Sequence, residues 1–341
     1  MFGHAHWRDG GRAPAGGAHL NDPAAQPHLL EEVLSQVFGP ADVAPKNIRR
    51  LSAGASSGIW SFDLPGVTPS GYILRVASPG ANRVPIASEA AAMEAAGAVQ
   101  VPVPAILHHS ESLHPFGAPY MLMERIEGET LARHILRDDE YTEARKVFAG
   151  QCGRILGRLR QADTATVPDL ENDKQLERWE AIFRMLATPV ATFEWAFRYL
   201  QLNRPEPSGQ STLVHGDFRL GNMIIGPEGI RAVLDWELVH LGDPLEDLGW
   251  LCARPWRFRG PNPVGGMGEY GDLLDAYGEA SGVAVDPEEL RWWEVFAALR
   301  WGIICLLQAS RHLSGSERSV ELATIGRRVA ETELDLLDAV P

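Results

Sequence analysis

Cysteine is nearly missing from this chain. Cys152, Cys252 and Cys305 stand far apart among 341 residues, an odd number that makes neither a disulfide framework nor a metal-ligand spacing. A reducing, cytoplasmic setting fits that usage. Long apolar runs are missing as well: none reaches the roughly 18 residues that a membrane span requires, and the first residues show no apolar leader core. No membrane attachment is expected. A basic excess is the third absence, since 31 Lys and Arg against 45 Asp and Glu leave a net charge of −14. Global attraction to nucleic acid or to anionic lipid is therefore not expected.

What remains is ample for a folded chain. Hydrophobic residues make up 45% of the sequence, enough for a full core in one large or two modest domains. The most informative stretch is residues 213–237, LVHGDFRLGNMIIGPEGIRAVLDWE. Short apolar runs in it alternate with Asp217, Asn222 and Asp235, the layout of short strands carrying a polar loop. Phosphoryl transfer from a nucleotide uses such a layout: a loop Asp accepts the proton of the attacking hydroxyl, an Asn five positions later holds one Mg²⁺, and a further Asp holds metal against the β- and γ-phosphates. Asp217 and Asn222 keep that separation within H-G-D-x-x-x-x-N, and Asp235 ends the next apolar run. Taken singly, the first two are ordinary turn formers and the third a helix cap. Their joint spacing is what points to chemistry.

HGDFRLGN, then LDWE, then GDPLEDLGWL resemble the aminoglycoside phosphotransferase family, and within it the branch related to the phosphotransferase domain of some acyl-CoA dehydrogenase family proteins. The resemblance runs from about residue 48 to the end. It implies an α+β, two-lobed protein-kinase-like fold, with a small antiparallel sheet and one main helix in the first lobe and a large, mostly helical second lobe. The boundaries expected are a disordered tail over 1–27, a nucleotide-binding lobe over 28–126 and a helical lobe with the catalytic loop and substrate site over 127–341. ATP or GTP and Mg²⁺ are the cofactors implied. Asp217 would be the catalytic base, Asn222 and Asp235 the metal ligands, and the chain a monomer or homodimer.

The flanking sequence is consistent with that plan. Residues 1–27 lack apolar periodicity, and His4, His6 and His19 there read as a solvated tail rather than a metal tract. Residues 28–38 carry apolar side chains at helical spacing. Strands follow over 47–51, 59–64 and 72–77. The first two flank a turn with Gly54, Ser56 and Ser57, small residues that can bring backbone N–H groups against phosphate oxygens. Arg75 stands where the template puts a Lys on the α/β-phosphates, and it is not equivalent to one. Glu89, on a helix over 84–96, is its candidate partner. Residues 119–126 form the last strand and a hinge, where backbone near Glu124 and Ile126 would face the nucleotide base.

From 130 onward the pattern is helical: 130–137, 141–162 with Val147, Cys152, Ile155, Leu156 and Leu159 on one face, two helices within 176–202, then 290–313 and 320–340. Asp243, followed by Pro244, reads as a helix cap, and the kinase-like resemblance implies that Asp247 braces the catalytic loop. Glu237, two past Asp235, would point the same way in an extended segment. The cluster Arg254, Trp256, Arg257 and Arg259 is unusual on so acidic a chain. It could bind a phosphate or nucleotide-like moiety such as that of coenzyme A by bidentate contacts and stacking, or be tied up in salt bridges with its aromatics buried. The acceptor expected is a small-molecule hydroxyl, on a hydroxyacyl-CoA-type or other metabolic compound. The alternatives are an aminoglycoside antibiotic kinase, for which Glu269, Asp272 and Asp275 would have to supply an acidic pocket, and a non-catalytic nucleotide-binding regulatory protein, which Arg75 in place of Lys would suit.

Overall fold

The computed structural model describes residues 22–39, 44–54, 57–69, 71–77, 84–170, 174–206 and 211–339. The tail histidines and Ser56 lie outside them. In chain order the elements begin with α1 (Pro27–Phe38), β1 (Lys46–Gly54), β2 (Ser57–Asp63), β3 (Gly71–Ala77), α2 (Ile86–Ala98), β4 (Ile106–Ser110) and β5 (Tyr120–Glu124). The helical half opens with α3 (Ala132–Arg137), α4 (Thr142–Leu159), α5 (Gln175–Leu186) and α6 (Ala191–Leu202). Four short strands follow, β6 (Thr212–Val214), β7 (Met223–Gly226), β8 (Gly229–Val233) and β9 (His240–Gly242). The series closes with α7 (Leu245–Cys252), α8 (Tyr270–Ser281), α9 (Pro287–Leu313), α10 (Val320–Gly326) and α11 (Val329–Ala339). The mixture is α+β, as expected.

Two compact units emerge, one drawn from Met1–Asn82 and Leu107–Glu124, the other from Arg83–Ile106 and Arg125–Pro341. The first is a five-stranded sheet in the order β1-β2-β3-β5-β4, with antiparallel pairing from β1 through β5. Alternation puts Trp60, Phe62, Tyr72, Leu74, Tyr120 and Leu122 on its buried side, where Leu30, Val33 and Leu34 of α1 cover them. Residues 22–26, counted with the tail from sequence, join this unit: Asp22 accepts from Trp60 Nε1 at 2.9 Å.

The second unit is built around helices. Gly153 and Gly157 let α4 lie directly on α8, since a Cβ at Gly153 would stand 2.2 Å from the Leu273 carbonyl oxygen. Its buried face includes Phe148 rather than Val147, which is 39% exposed. Phe148 falls four residues before Cys152, on the true stripe, and Val147 falls just off it. The single last helix expected over 320–340 is two helices, because Gly326 packs against Ala309 of α9 so closely that a Cβ would lie 2.7 Å from the alanine methyl. The break re-aims α11. Two β-pairs, β6 with β9 and β7 with β8, are set into this helical body and carry the polar loop. The three cysteines are free and buried, and among the described residues no helix is long and apolar enough to cross a membrane.

Candidate active site

β6 delivers the chain to His215, a loop of seven residues returns through one helical turn at Leu220–Asn222 into β7, and β8 runs back to Asp235. The loop starts with a backbone that demands glycine. Gly216 has φ +81°, and a Cβ there would meet the Leu238 carbonyl oxygen at 2.5 Å. The amides of His215 and Gly216 donate to the two carboxylate oxygens of Asp247, at 2.7 and 3.0 Å. Asp247 therefore braces the loop from the first turn of α7. Burial holds its carboxyl above the usual range, against the opposing pull of His215 and the two amides. Asp243 accepts from the Leu245 amide at 2.9 Å and caps the same helix. His215 Nδ1 takes the Asp217 amide at 3.1 Å, which leaves Nε2 to donate to the Leu234 carbonyl at 3.0 Å.

Asp217 is half-buried and held from three sides. Its Oδ1 accepts from Trp250 Nε1 at 2.7 Å and from Arg219 Nε at 3.0 Å, and its Oδ2 from Asn222 Nδ2 at 2.6 Å. Asn222 Nδ2 also reaches the Asp217 carbonyl at 3.0 Å, so the amide nitrogen is used within the loop and the amide oxygen is left over. Arg219 lies over the Trp256 ring, 4.6 Å from its centroid, a cation–π contact that keeps its charge beside Asp217.

Asp235 is brought next to Asn222 by the Leu234 amide, which donates to the Asn222 carbonyl at 2.8 Å. It is exposed and takes φ +66°, a left-handed conformation uncommon for a residue with a side chain. Strain of that kind is enriched at functional sites. The same turn corrects the expectation for Glu237: the backbone is not extended past Asp235 and turns at 237–238, so the alternation that would align the two carboxylates does not operate.

Buried charges on α7, α9 and β9 support the loop from behind. Arg300, 3% exposed on α9, donates to the Gly216 carbonyl at 2.7 Å and to Glu246 Oε1 at 3.1 Å, with its guanidinium 4.3 Å from the Trp250 ring centroid. Glu246 Oε2 meets His240 Nε2 at 3.1 Å, and His240 Nδ1 meets the Leu238 carbonyl at 2.9 Å. Burial by itself would raise the Glu246 pKa and lower that of His240; their mutual attraction, with Arg300 aiding the carboxylate, reverses both, so Glu246 titrates below and His240 above the ordinary range. Sequence reasoning missed Trp250, Arg219, Glu246, His240 and Arg300. Arg219 sits inside the loop motif itself, and Glu246 and Trp250 inside the GDPLEDLGWL stretch; His240 and Arg300 carry no signal in spacing.

The remaining candidates are distributed. Arg75 is buried in the middle of β3, opposite Ile59 and Met121, and Glu124 ends β5 opposite Tyr72. Gly54 ends β1 where it pairs with Ser57. In the second unit Glu89 is buried in the first turn of α2, and Ile126 is half-buried in irregular chain. Residues 254–257 form one helical turn. Arg254 bonds Asp335 and Asp338 at 3.2 and 2.8 Å, Arg257 reaches the Cys252 carbonyl at 2.9 Å, and Trp256 is buried between Trp250 and Trp301. Arg259 is exposed.

The sequence model of the phosphotransferase enzyme family matches residues 47–293. The chain belongs to that family. A curated relative, mouse acyl-CoA dehydrogenase family member 10, is 30% identical over 259 residues, which cover 69% of this chain and 24% of that protein; the chain thus spans about a quarter of this relative's length. Among solved structures, a putative aminoglycoside phosphotransferase from Ralstonia eutropha superposes with a TM-score of 0.73 at 22% identity, covering 92% of this chain and 97% of the other. An aminoglycoside phosphotransferase solved with AMP-PNP and hygromycin B gives 0.61 at 17% identity, covering 91% and 97%. These likenesses bear out the kinase-like fold, and the family model places the chain in the phosphotransferase enzyme family.

Proposed function

We propose that this phosphotransferase is a small-molecule kinase that moves the γ-phosphate of ATP, or of GTP, to a hydroxyl, with Asp217 as the catalytic base. The observation that carries the reading is the threefold hold on Asp217 by Trp250, Arg219 and Asn222. A carboxylate fixed from several directions on a braced loop is positioned in advance for a proton-accepting role.

Asn222 and Asp235 fit a Mg²⁺ ion. Hard oxygen donors, one or two from protein with phosphate oxygens and water completing the set, suit this cation, and the Asn222 amide oxygen and the exposed Asp235 carboxylate have no partner among the described residues. When bound, the ion would screen the charge of the β- and γ-phosphates. Arg75 is assigned to the α/β-phosphates, and Gly54, Ser56 and Ser57 to backbone or hydroxyl contacts with phosphate, by analogy with the kinase template. Glu89 and the chain near Glu124 and Ile126 are carried over as candidate nucleotide-binding residues on the same analogy. Glu237 stays a candidate for steering the metal or substrate.

For the acceptor, a hydroxyacyl-CoA-type compound is favoured over an aminoglycoside. Glu269, Asp272 and Asp275 are exposed around the start of α8, whereas the segment with Arg254, Arg257 and Arg259 is cationic. The test is nucleoside-diphosphate release with Mg-ATP or Mg-GTP over a panel of hydroxyacyl-CoA thioesters and aminoglycosides. Release that depends on one acceptor and falls by orders of magnitude in Asp217→Asn, with nucleotide affinity kept, is expected; near-normal turnover in that variant would remove Asp217 from the mechanism.

A further inference from the structure

A cavity of about 1330 Å³ opens on the second unit, and eight of its twenty lining residues carry a positive side chain against two with a carboxylate. On a chain with net charge −14, this is a local reversal of sign. Its cations come from four places that are distant in sequence: α3, α4, the segment 254–259 and the turn before α11.

These cations divide into two sets. Arg254, Lys146 and Arg328 are neutralised by Asp335 and Asp338, by Glu143 and by Glu331. Arg145 and Arg257 are held by backbone carbonyls, at 2.7 and 2.9 Å, which fixes the guanidinium without cancelling its charge. Arg133, Arg137 and Arg259 have no hydrogen-bonded or ionic partner among the described residues. Five guanidiniums thus line one cavity with no carboxylate hydrogen-bonded to them among the described residues, and Arg257 of the five lies within electrostatic reach of Glu294 and Asp335.

The wall that carries Arg259 is a strained, fixed turn. Phe258 and Arg259 both have positive φ, +48° and +68°, and the turn is locked by Gly260, where a Cβ would meet the Gly266 carbonyl oxygen at 2.1 Å. Successive left-handed residues with side chains cost free energy and persist where surrounding structure enforces them. This one turns Arg259 and Phe258 to the cavity lining. It also adjoins the catalytic loop: Phe258 Cζ is 4.0 Å from where a Cβ of Gly221 would stand, and Arg219 lies on the Trp256 ring one turn away.

We propose that this basin binds a ligand with at least two phosphate groups, Arg133, Arg137 and Arg259 making the direct contacts, and that the ligand is the phosphate-bearing handle of the acceptor. Planar guanidiniums take phosphate oxygens in pairs, and several converging on one cavity select for clustered negative charge over a single anion. The nearness of Phe258 to Gly221 sets the other end of such a molecule toward the loop that carries Asp217. Assignment to the acceptor rests on the kinase reading; the anion site itself does not.

Two measurements separate those layers. Calorimetric titration of the full chain with tripolyphosphate, without nucleotide or Mg²⁺, is expected to show binding that weakens with salt and that drops about tenfold or more, ~1.4 kcal/mol or greater, in the triple variant Arg133→Gln, Arg137→Gln, Arg259→Gln. Mg-ATP affinity and the melting temperature serve as controls for folding. No binding to the wild type, or equal binding to both proteins, overturns the site. Turnover of a coenzyme A thioester acceptor is then expected to show KM raised about tenfold in the variant with kcat changed little. A KM that does not move, with tripolyphosphate still bound in the basin, overturns the acceptor role and assigns the site to a free polyanion. Absence of turnover in the wild type across every acceptor, with tripolyphosphate bound, instead counts against the kinase reading and leaves the anion site standing.

Discussion

Trp250 donates its indole N–H to Asp217 Oδ1 across 2.7 Å while the Arg300 guanidinium lies 4.3 Å from the centroid of the same ring. One side chain therefore couples the candidate base to a buried cation that also bonds the Gly216 carbonyl. Trp250→Phe keeps an aromatic face but removes the donor together with part of the buried indole, so melting temperature is recorded beside the kinetics to separate the two losses. The substitution is expected to lower kcat by about 10- to 100-fold through misplacement of the carboxylate, with nucleotide KM nearly unchanged. Steady-state kinetics decides this, and an unaltered kcat would mean that Arg219 and Asn222 suffice.

Arg300 compensates Glu246 at a depth where neither is hydrated. Arg300→Met is expected to cost about 3 kcal/mol, because Glu246 keeps His240 but loses its second cationic partner and the Gly216 carbonyl loses its buried donor. Arg300→Lys should lie between, since it restores charge without the fork that reaches both Glu246 and Gly216. Urea unfolding of the three proteins gives the ordering, and a loss below about 1 kcal/mol in the Met variant would show that Glu246 takes up a proton or another partner.

A pH signature follows from His240 and Glu246. His240 has its pKa raised, so its contribution to stability is complete below its unfolded value near 6.5 and is lost as pH climbs through the folded one. Glu246 has its pKa lowered, so its contribution is complete above about 4.5 and is lost as pH falls through its folded value. The pair stabilises most between those limits. Melting temperature recorded against pH should show, for wild type minus His240→Gln, a difference that is largest near pH 5–6 and shrinks toward the alkaline side. A flat difference would remove the ion pair from the account.

The three thiols should be inert in the folded protein. Burial pushes Cys152 and Cys252 well above the usual thiol range and Cys305 up to about 12, and a protonated, inaccessible sulfur is a poor nucleophile. A chromogenic disulfide reagent is expected to titrate no thiol before denaturant is added and three after. Fast reaction of any one thiol in the native state would show local opening around it.

Much of the plan was legible because it is local. The separation of Asp217 from Asn222, the apolar run leading to Asp235 and the 3.6-residue periodicity of the later helices are short-range properties, and the family resemblance rests on the same residues. Where reading by period failed, tertiary packing was the reason. Val147 sits one residue off the buried stripe that Phe148 occupies, the final helix breaks where Gly326 meets Ala309, and the turn after Asp235 cancels the alternation assumed for Glu237.

The sequence by itself determined the succession from early short strands to later helices and the polar loop, since these depend on side chains within a few residues or on a motif of fixed spacing. The brace Asp247 was legible through the family resemblance, its contact reaching back 32 residues to His215. Only the tertiary structure decided that Trp250 and Arg300 hold that loop, and that Arg133 and Arg137 share a cavity with Arg259. Periodicity says which face of a helix is buried, not which distant face it meets. That pairing is set by packing of the whole unit, where closely approaching surfaces such as Gly153 on α8 and Gly326 on α9 fix how the helices lie.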